Sequence, residues 1–172
     1  VPDEAGFAAT AEALALVRGL GEADAVLFLL SGGGSALFEA PLISGGELQD
    51  ITGQLLACGA DITEMNTVRK RLSAVKGGRF AEACAPARVF GIVLSDIVGD
   101  PLDMIASGPA VPDSTTCADA LAVAEKYGLT LSNDNLGEIL KDFTEDICVN
   151  VECIVFVFEL FEAVGTFSLV NR

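Results

Sequence analysis

The stretch AVLFLLSGGGS, residues 25–35, decides the fold. Its first six residues are continuously apolar, which is typical of a buried strand in a parallel sheet. Two serines and three consecutive glycines follow at once. Glycine loses more backbone entropy on folding than any other residue. Three glycines together therefore indicate either a turn too sharp for side chains or a ligand that comes close to the backbone.

The segments around this strand place it in an α/β domain. Apolar residues at helical spacing predict helices over residues 5–20, 47–58, 61–76, 79–85, 116–127 and 135–141, and Asp3 is the predicted N-cap of the first helix. Further strands are predicted over residues 87–94 and 149–158. Helices and strands alternate without a hairpin signal, so we expect a Rossmann-like, three-layer α/β domain with a mostly parallel sheet.

Composition narrows the range of functions. The net charge of −15 argues against nucleic acid as a partner, because phosphate backbones repel an acidic surface. The absence of histidine excludes histidine-based triads and histidine-ligated zinc from these 172 residues. Five cysteines lie singly and indicate reduced thiols in a cytoplasmic protein. Glu159 and Glu162 interrupt the apolar C-terminal segment, which argues against a membrane span.

Two glycine-rich loops, residues 31–35 and residues 95–109, follow the carboxyl ends of predicted strands, where ligands bind in α/β domains. Backbone N–H groups in such loops can converge on an anion. The alternative is a tight turn that only packs against the sheet. Neither G-x-G-x-x-G nor G-x-x-x-x-G-K-[ST] is present. The candidate cofactor-binding residues are Ser31, Gly32, Gly33, Gly34 and Ser35 of the first loop, with Ser107 and Gly108 of the second.

Half of the basic residues are concentrated in one short segment. Five of the ten lie within eleven positions: Arg69, Lys70, Arg71, Lys76 and Arg79. A solvated helix face is one explanation for such a run. An anionic ligand, a phosphate or a small carboxylate, is the other. Helical geometry prevents all five from facing one site.

Acidic residues follow the second predicted strand. Asp96 and Asp100 lie four positions apart, with Asp103 close behind. Carboxylates at this place suit Mg²⁺, and one could instead accept the proton of an attacking hydroxyl. The alternative is ordinary turn chemistry. Together with the glycine loop and the basic segment, these carboxylates form a set suited to phosphoryl transfer.

Four segments, in this order and spacing, resemble the N-terminal domain of the glycerate 2-kinase family, whose second domain is called MOFRL. They are VPDE (1–4), LFLLSGGGSAL (27–37), GADITEMNTVRKRLSAVKGGRFA (59–81) and LSDIVGDPLDMIASGPAVPDSTT (94–116). The resemblance runs from the first residue to about residue 127. It implies ATP-dependent transfer to the 2-hydroxyl of D-glycerate, giving 2-phosphoglycerate. Members have also carried the name hydroxypyruvate reductase.

The resemblance also implies roles for particular residues. It assigns ATP and Mg²⁺ as cofactors, with SGGGSA at residues 31–36 in the nucleotide or substrate phosphate site. Asn66, Arg69, Lys70 and Lys76 would line the substrate cleft. Asp96 would be the catalytic acid-base or metal residue, and Asp100 is the second candidate for both roles.

The resemblance is incomplete in two respects. The family's catalytic lysine lies before the first residue, and further site residues lie in the second domain. We therefore expect residues 1–154 to be a partial kinase domain, residues 155–172 to be a divergent apolar tail, and the MOFRL domain to be absent. Such a chain would hold part of a site, be inactive alone, and be poorly soluble or homo-oligomeric. A non-catalytic binding remnant is the alternative to an enzyme.

Overall fold

The structure is a computed structural model that describes residues 2–31, 33–95, 102–140, 151–157 and 167–170. Their helices are α1 (Glu4–Val17), α2 (Gly34–Leu37), α3 (Gly45–Ala57), α4 (Ile62–Arg71), α5 (Arg79–Cys84), α6 (Cys117–Tyr127) and α7 (Asn133–Leu140). Their strands are β1 (Ala25–Leu30), β2 (Arg88–Ser95), β3 (Val151–Val157) and β4 (Phe167–Val170). A short 3₁₀ turn spans Ile105–Ser107.

The described strands form one sheet in the order β1-β2-β3-β4. β1, β2 and β3 are parallel, and β4 pairs antiparallel with β3. Helices connect the parallel strands, so the prediction of an α/β domain with a mostly parallel sheet is confirmed. The predicted boundary between residues 154 and 155 falls inside β3. Among the described residues, no helix is both long and apolar enough to cross a membrane.

Local sequence signals begin several of the helices. Asp3 caps α1 by accepting a hydrogen bond from the N–H of Gly6 at 2.8 Å, as its position predicted. Reciprocal capping boxes begin α3, α4 and α6, formed by Ser44 with Glu47, Asp61 with Glu64, and Thr116 with Asp119.

The helix predicted over residues 61–76 is too long. α4 ends at Arg71, because the chain beyond it pairs with the segment that follows α2. The N–H of Leu42 donates to the carbonyl of Leu72 at 2.9 Å, and the N–H of Ala74 donates to the carbonyl of Ala40 at 2.8 Å. These tertiary hydrogen bonds replace the helical ones that periodicity predicted.

Apolar side chains form two main layers of core. The helical core joins α3, α4, α6 and α7 and consists of Leu48, Ile51, Leu55, Met65, Val68, Leu72, Ala120, Val123 and Ile139. A second layer packs on one face of the sheet and includes Val17, Val75, Phe80, Cys84 and Val89. α4 lies between the helical core and the loops at the end of the sheet.

β1 is covered on one face only within the described structure. Its Val26 and Phe28 pack toward the core, whereas Leu27 and Leu29 are 62% and 66% exposed. The strand was predicted to be buried in a parallel sheet, and among the described strands it stands at one end of that sheet. The continuous apolar sequence predicts cover on both faces of the strand, and within the described residues only one face is covered.

Candidate functional site

The glycine turn, residues 31–35, follows the carboxyl end of β1, as predicted, and α2 begins inside it at Gly34. Gly33 has φ +85°, a left-handed conformation that side chains rarely adopt. A Cβ on Gly34 would lie 2.8 Å from Leu30 and 3.0 Å from Ala106. Turn geometry and packing thus account for these two glycines without a ligand. Gly32 lies outside the described residues.

A second turn, residues 104–108, packs against the glycine turn. Ala106 and Ser107 have positive φ values of 50° and 63°, although neither is glycine, and both are buried. Each such conformation costs on the order of 1–3 kcal/mol and is frequently found at functional sites. We call this segment the strained turn.

Polar side chains join the two turns. The Ser107 hydroxyl donates to Oδ1 of Asn66 at 2.9 Å, and it lies 3.4 Å from the Ser35 hydroxyl. Asn66 also donates to the sulfur of Met104 at 3.8 Å. The structure therefore brings together Ser35, Ser107 and Asn66, which the sequence placed in three separate motifs.

Three buried charged side chains lie beneath the glycine turn: Glu39, Arg69 and Lys76. We call them the charge cluster. Oε2 of Glu39 lies 3.4 Å from Arg69 Nη2 and 3.5 Å from Lys76 Nζ. Both cations donate to the Ser35 carbonyl, Arg69 at 2.8 Å and Lys76 at 3.0 Å. The cluster is thus attached directly to the backbone of the turn.

Lys76 connects the charge cluster to both turns. Its ammonium group also donates to the carbonyls of Phe38 at 3.2 Å and Ala106 at 3.4 Å. Burial lowers the pKa of Lys76 from its ordinary value of 10.5 to about 8. The Glu39 carboxylate opposes this shift in pKa, and the Arg69 cation adds to it.

The other basic residues of the segment face elsewhere. Lys70 lies 3.2 Å from Asp113 and 3.6 Å from Asp103, and Arg71 lies 3.5 Å from Asp113. We call these four residues the loop clamp, because they fasten the loop after β2 to α4. Arg79 donates to the carbonyl of Lys70 at 2.6 Å, and burial lowers its pKa to about 10. The basic segment is thus divided between two places, as helical geometry predicted.

The acidic candidates Asp96 and Asp100 lie outside the described residues. Their neighbour Asp103 is described, and it accepts a hydrogen bond from Ser114 at 2.8 Å besides facing Lys70. Gly108 ends the strained turn with φ +64°. Within the described ranges, no group of three or more cysteine or acidic side chains is arranged to hold a metal ion.

Sequence analysis missed Glu39. Its side chain is fully buried, and its backbone N–H donates to the Thr10 hydroxyl of α1 at 3.1 Å. The available signal was a lone carboxylate in the otherwise apolar segment ALFEAPLI, residues 36–43. A buried carboxylate needs a cation, and the nearby basic segment provides two.

Comparison with known families identifies the class of protein. The family described as Domain of unknown function (DUF4147) matches residues 1–141, so this chain belongs to that family.

Named relatives then give the closer likeness. The chain is 56% identical to a D-glycerate 2-kinase of Thermotoga maritima over 154 residues, covering 88% of this chain and 37% of the relative. It is 47% identical to a putative hydroxypyruvate reductase of Agrobacterium vitis, over 76% of this chain and 30% of the relative. Identity to human glycerate kinase is 46%, over 75% of this chain and 25% of the relative. The resemblance to the glycerate 2-kinase family is confirmed.

Solved structures agree with this assignment. The crystal structure of Thermotoga maritima glycerate kinase matches with a TM-score of 0.86 at 55% identity, over 90% of this chain and 38% of that one. A Pyrococcus horikoshii protein matches with a TM-score of 0.83 at 38% identity, also over 90% and 38%. The chain therefore spans less than two fifths of the length of these relatives.

Proposed function

We propose that this chain forms part of a glycerate 2-kinase, which transfers the γ-phosphoryl group of ATP to the 2-hydroxyl of D-glycerate. The names of its relatives in Thermotoga and in human support this activity. The structural observation that carries the proposal is the meeting of the glycine turn, the strained turn and the charge cluster at the carboxyl end of β1. Ligands of open α/β sheets bind at this edge.

In this proposal the two turns bind the anionic part of ATP. Two buried cations face one carboxylate there, so the region carries positive charge that suits phosphate oxygens. Asn66, Arg69, Lys70 and Lys76 remain the proposed substrate-side residues. Arg69 and Lys76 would act indirectly, because their contacts hold the Ser35 carbonyl of the glycine turn in place. Lys70 would act as part of the loop clamp, by fastening the loop after β2 to α4.

The reaction needs a group that accepts the proton of the attacking 2-hydroxyl. We assign this role to Asp96, since β2 is parallel to β1 and its carboxyl end at Ser95 lies at the same edge as the glycine turn, and Asp96 is the next residue in the sequence. The carboxylates of Asp96 and Asp100 are also the donor type that Mg²⁺ prefers, and they would hold it. When bound, Mg²⁺ neutralises charge on the phosphate oxygens.

The domain assignment belongs to the same proposal. Residues 1–154 would form the kinase-type α/β part and residues 155–172 a divergent apolar tail, with a MOFRL domain completing the site. Among the described side chains, Cys58, Cys84 and Cys117 form no disulfide, which supports a cytoplasmic location. We expect the 172-residue chain to self-associate and to be inactive as a kinase without the rest of the site.

Hydroxypyruvate reductase is the second candidate, favoured by the names of two relatives from Agrobacterium vitis. A reductase would need a nicotinamide site, and the G-x-G-x-x-G fingerprint is missing from this sequence. A non-catalytic binding remnant is the third candidate. Such a remnant would bind ATP but would not catalyse phosphoryl transfer, either alone or in the full-length protein.

The test uses a full-length homologue that carries these residues. ATP-dependent formation of 2-phosphoglycerate is expected, without NADH-dependent reduction of hydroxypyruvate. Asp96→Asn should lower kcat by about 10²-fold or more with the fold intact, because a charge at the reacting oxygen is lost without a change in volume. Asp100→Asn should instead weaken the dependence on Mg²⁺. If the homologue reduces hydroxypyruvate and does not phosphorylate glycerate, the reductase becomes the favoured function. Normal turnover in both variants would assign the two carboxylates to turn structure.

A further inference from the structure

We propose that Glu39 is a positioning residue for an anion site at the glycine turn, holding Arg69 and Lys76 against the Ser35 carbonyl and leaving one positive charge uncompensated beneath the turn. This inference rests on the proposed function, because it concerns the phosphoryl-binding side of the same site.

The position of Glu39 is the first support. Its side chain is fully buried, and its Oε2 faces both cations at 3.4 and 3.5 Å. Its Oε1 has no hydrogen-bond partner among the described residues. A buried carboxylate is retained only where cations compensate it, so Glu39 fixes where Arg69 and Lys76 lie.

Charge balance is the second support. The loop clamp pairs two cations, Lys70 and Arg71, with two carboxylates, Asp103 and Asp113, while Glu82 and Glu138 also act on the neighbouring Arg79. The charge cluster has two cations and one carboxylate. Its excess positive charge is buried, where screening by salt is weak.

An unpaired donor in the cluster is the third support. Nε of Arg69 is buried and has no partner among the described residues, although the guanidinium reaches the Ser35 hydroxyl at 3.5 Å. Buried donors in native structures are nearly always satisfied by protein, water or a bound ion, so this donor beside the half-exposed turn is available to a polar ligand. The ligand class is an oxyanion, a phosphate ester or its analogue.

Inorganic sulfate is a suitable probe, because it imitates a phosphoryl group and its charge is constant between neutral and alkaline pH. Binding to the 172-residue chain is followed by the carbon-13 carbonyl signals of Gly33, Gly34 and Ser35, which remain visible at high pH. The variants Lys76→Met and Glu39→Gln/Lys76→Met are compared with Lys126→Met, which removes the same charge from an exposed lysine on α6.

Charge and structure give opposite expectations for the double variant. Lys76→Met makes the cluster neutral and should weaken sulfate binding about tenfold, while Lys126→Met should change it less than about twofold. Glu39→Gln/Lys76→Met returns one uncompensated positive charge and keeps an amide oxygen at residue 39 that can still accept from Arg69, so it should restore affinity to within about threefold of the original chain. If Lys76 contributes only packing and not charge, the double variant should bind sulfate no better than the single one, and that result would overturn the inference.

A pH series keeps the test decisive if Lys76→Met does not fold. Glu39 and Arg69 are the charged groups that act on Lys76. Sulfate affinity of the unmodified chain should fall about tenfold from about pH 7 to about pH 9.5, as Lys76 loses its proton, and should stay level in the double variant. A level profile in the unmodified chain overturns the inference. Carbonyl signals of the glycine turn that do not change when sulfate is added would also overturn it. The kinase assay of the full-length homologue tests the proposed function separately.

Discussion

The two sides of α4 are both buried, yet one makes apolar contacts and the other makes specific polar contacts. Met65, Val68 and Leu72 pack into the helical core, where contacts are apolar and non-directional. Asn66 and Arg69 point to the glycine turn and the strained turn, where each polar atom has a particular partner. One helix thus separates a region that stabilises the fold from a region that organises the site.

The difference lies in what a single substitution removes. Loss of an apolar side chain forfeits its burial and leaves a cavity, and the neighbours relax in part. Loss of one partner in a buried ion pair leaves an uncompensated charge that has no access to water. The charge cluster should therefore tolerate substitution less well than the helical core.

The largest expected effect comes from Glu39→Ala. It leaves Arg69 and Lys76 buried without their carboxylate and should lower the free energy of unfolding by about 3–5 kcal/mol. Urea unfolding followed by circular dichroism measures this. The control is Glu12→Ala on the exposed side of α1, expected within about 0.5 kcal/mol of the original chain. Equal stabilities for the two variants would show that the cluster is held without its carboxylate.

On the apolar side of the comparison, Leu55→Ala should cost about 3 kcal/mol, since Leu55 is fully buried in the helical core. Leu56→Ala is the matched control, because Leu56 on the same helix is 60% exposed. The carbonyl signals of the glycine turn should respond to sulfate as in the original chain. A changed sulfate affinity in Leu55→Ala would mean that the two sides of α4 are coupled.

The pH dependence of stability separates the two regions further. The folded pKa of Lys76 is about 8 and its ordinary value is 10.5, so the unfolded chain binds more protons between these values. The contribution of Lys76 to stability therefore rises with pH across this window, by about 2–3 kcal/mol, and is lost as pH falls through about 8.

Unfolding free energies of the original chain and of Glu39→Gln/Lys76→Met, measured at several pH values from about 7 to about 10.5, test this difference. Subtraction of the two series is needed because burial raises the pKa of Cys84 to about 11, which acts in the opposite direction. A constant difference across the series would mean that Lys76 keeps its ordinary pKa.

The smallest effect concerns neither region directly. Ser44→Ala removes the N-cap of α3 and should cost about 1 kcal/mol, because the N–H of Glu47 loses its acceptor. Thr63→Ala, at an exposed position inside α4, is the control. Thermal unfolding compares the two, and a cost for Ser44→Ala as large as that of Leu55→Ala would mean that the cap also holds the helical core together.

Prediction from sequence succeeded where short-range chemistry decides the outcome. The Asp3 cap, the apolar strand over Ala25–Leu30 and the short helix α5 are all found where the residues indicated. It failed where distant segments compete. α4 stops at Arg71 because residues 72–74 bond to residues 40–42, and periodicity within one segment contains no information about that pairing.

The site shows the same division. The glycine turn at the end of β1 followed from the strand and the three glycines, and the split of the basic segment followed from helical geometry. The strained turn could not be predicted from the sequence, since residue type gives no signal of the positive φ values at Ala106 and Ser107. The roles of Asp96 and Asp100 stay predictions.

Residue types and their spacing by themselves determined the class of fold, the starts of the helices and the place of a glycine-rich turn after β1, because caps, periodicity and backbone freedom act within a few positions along the chain. Only the tertiary structure decided that Glu39 balances part of this charge and that Lys76 reaches both turns. Pairing of buried charges depends on distance in space, and residues 39, 69 and 76 meet only once α2, α4 and the turn before α5 have packed together.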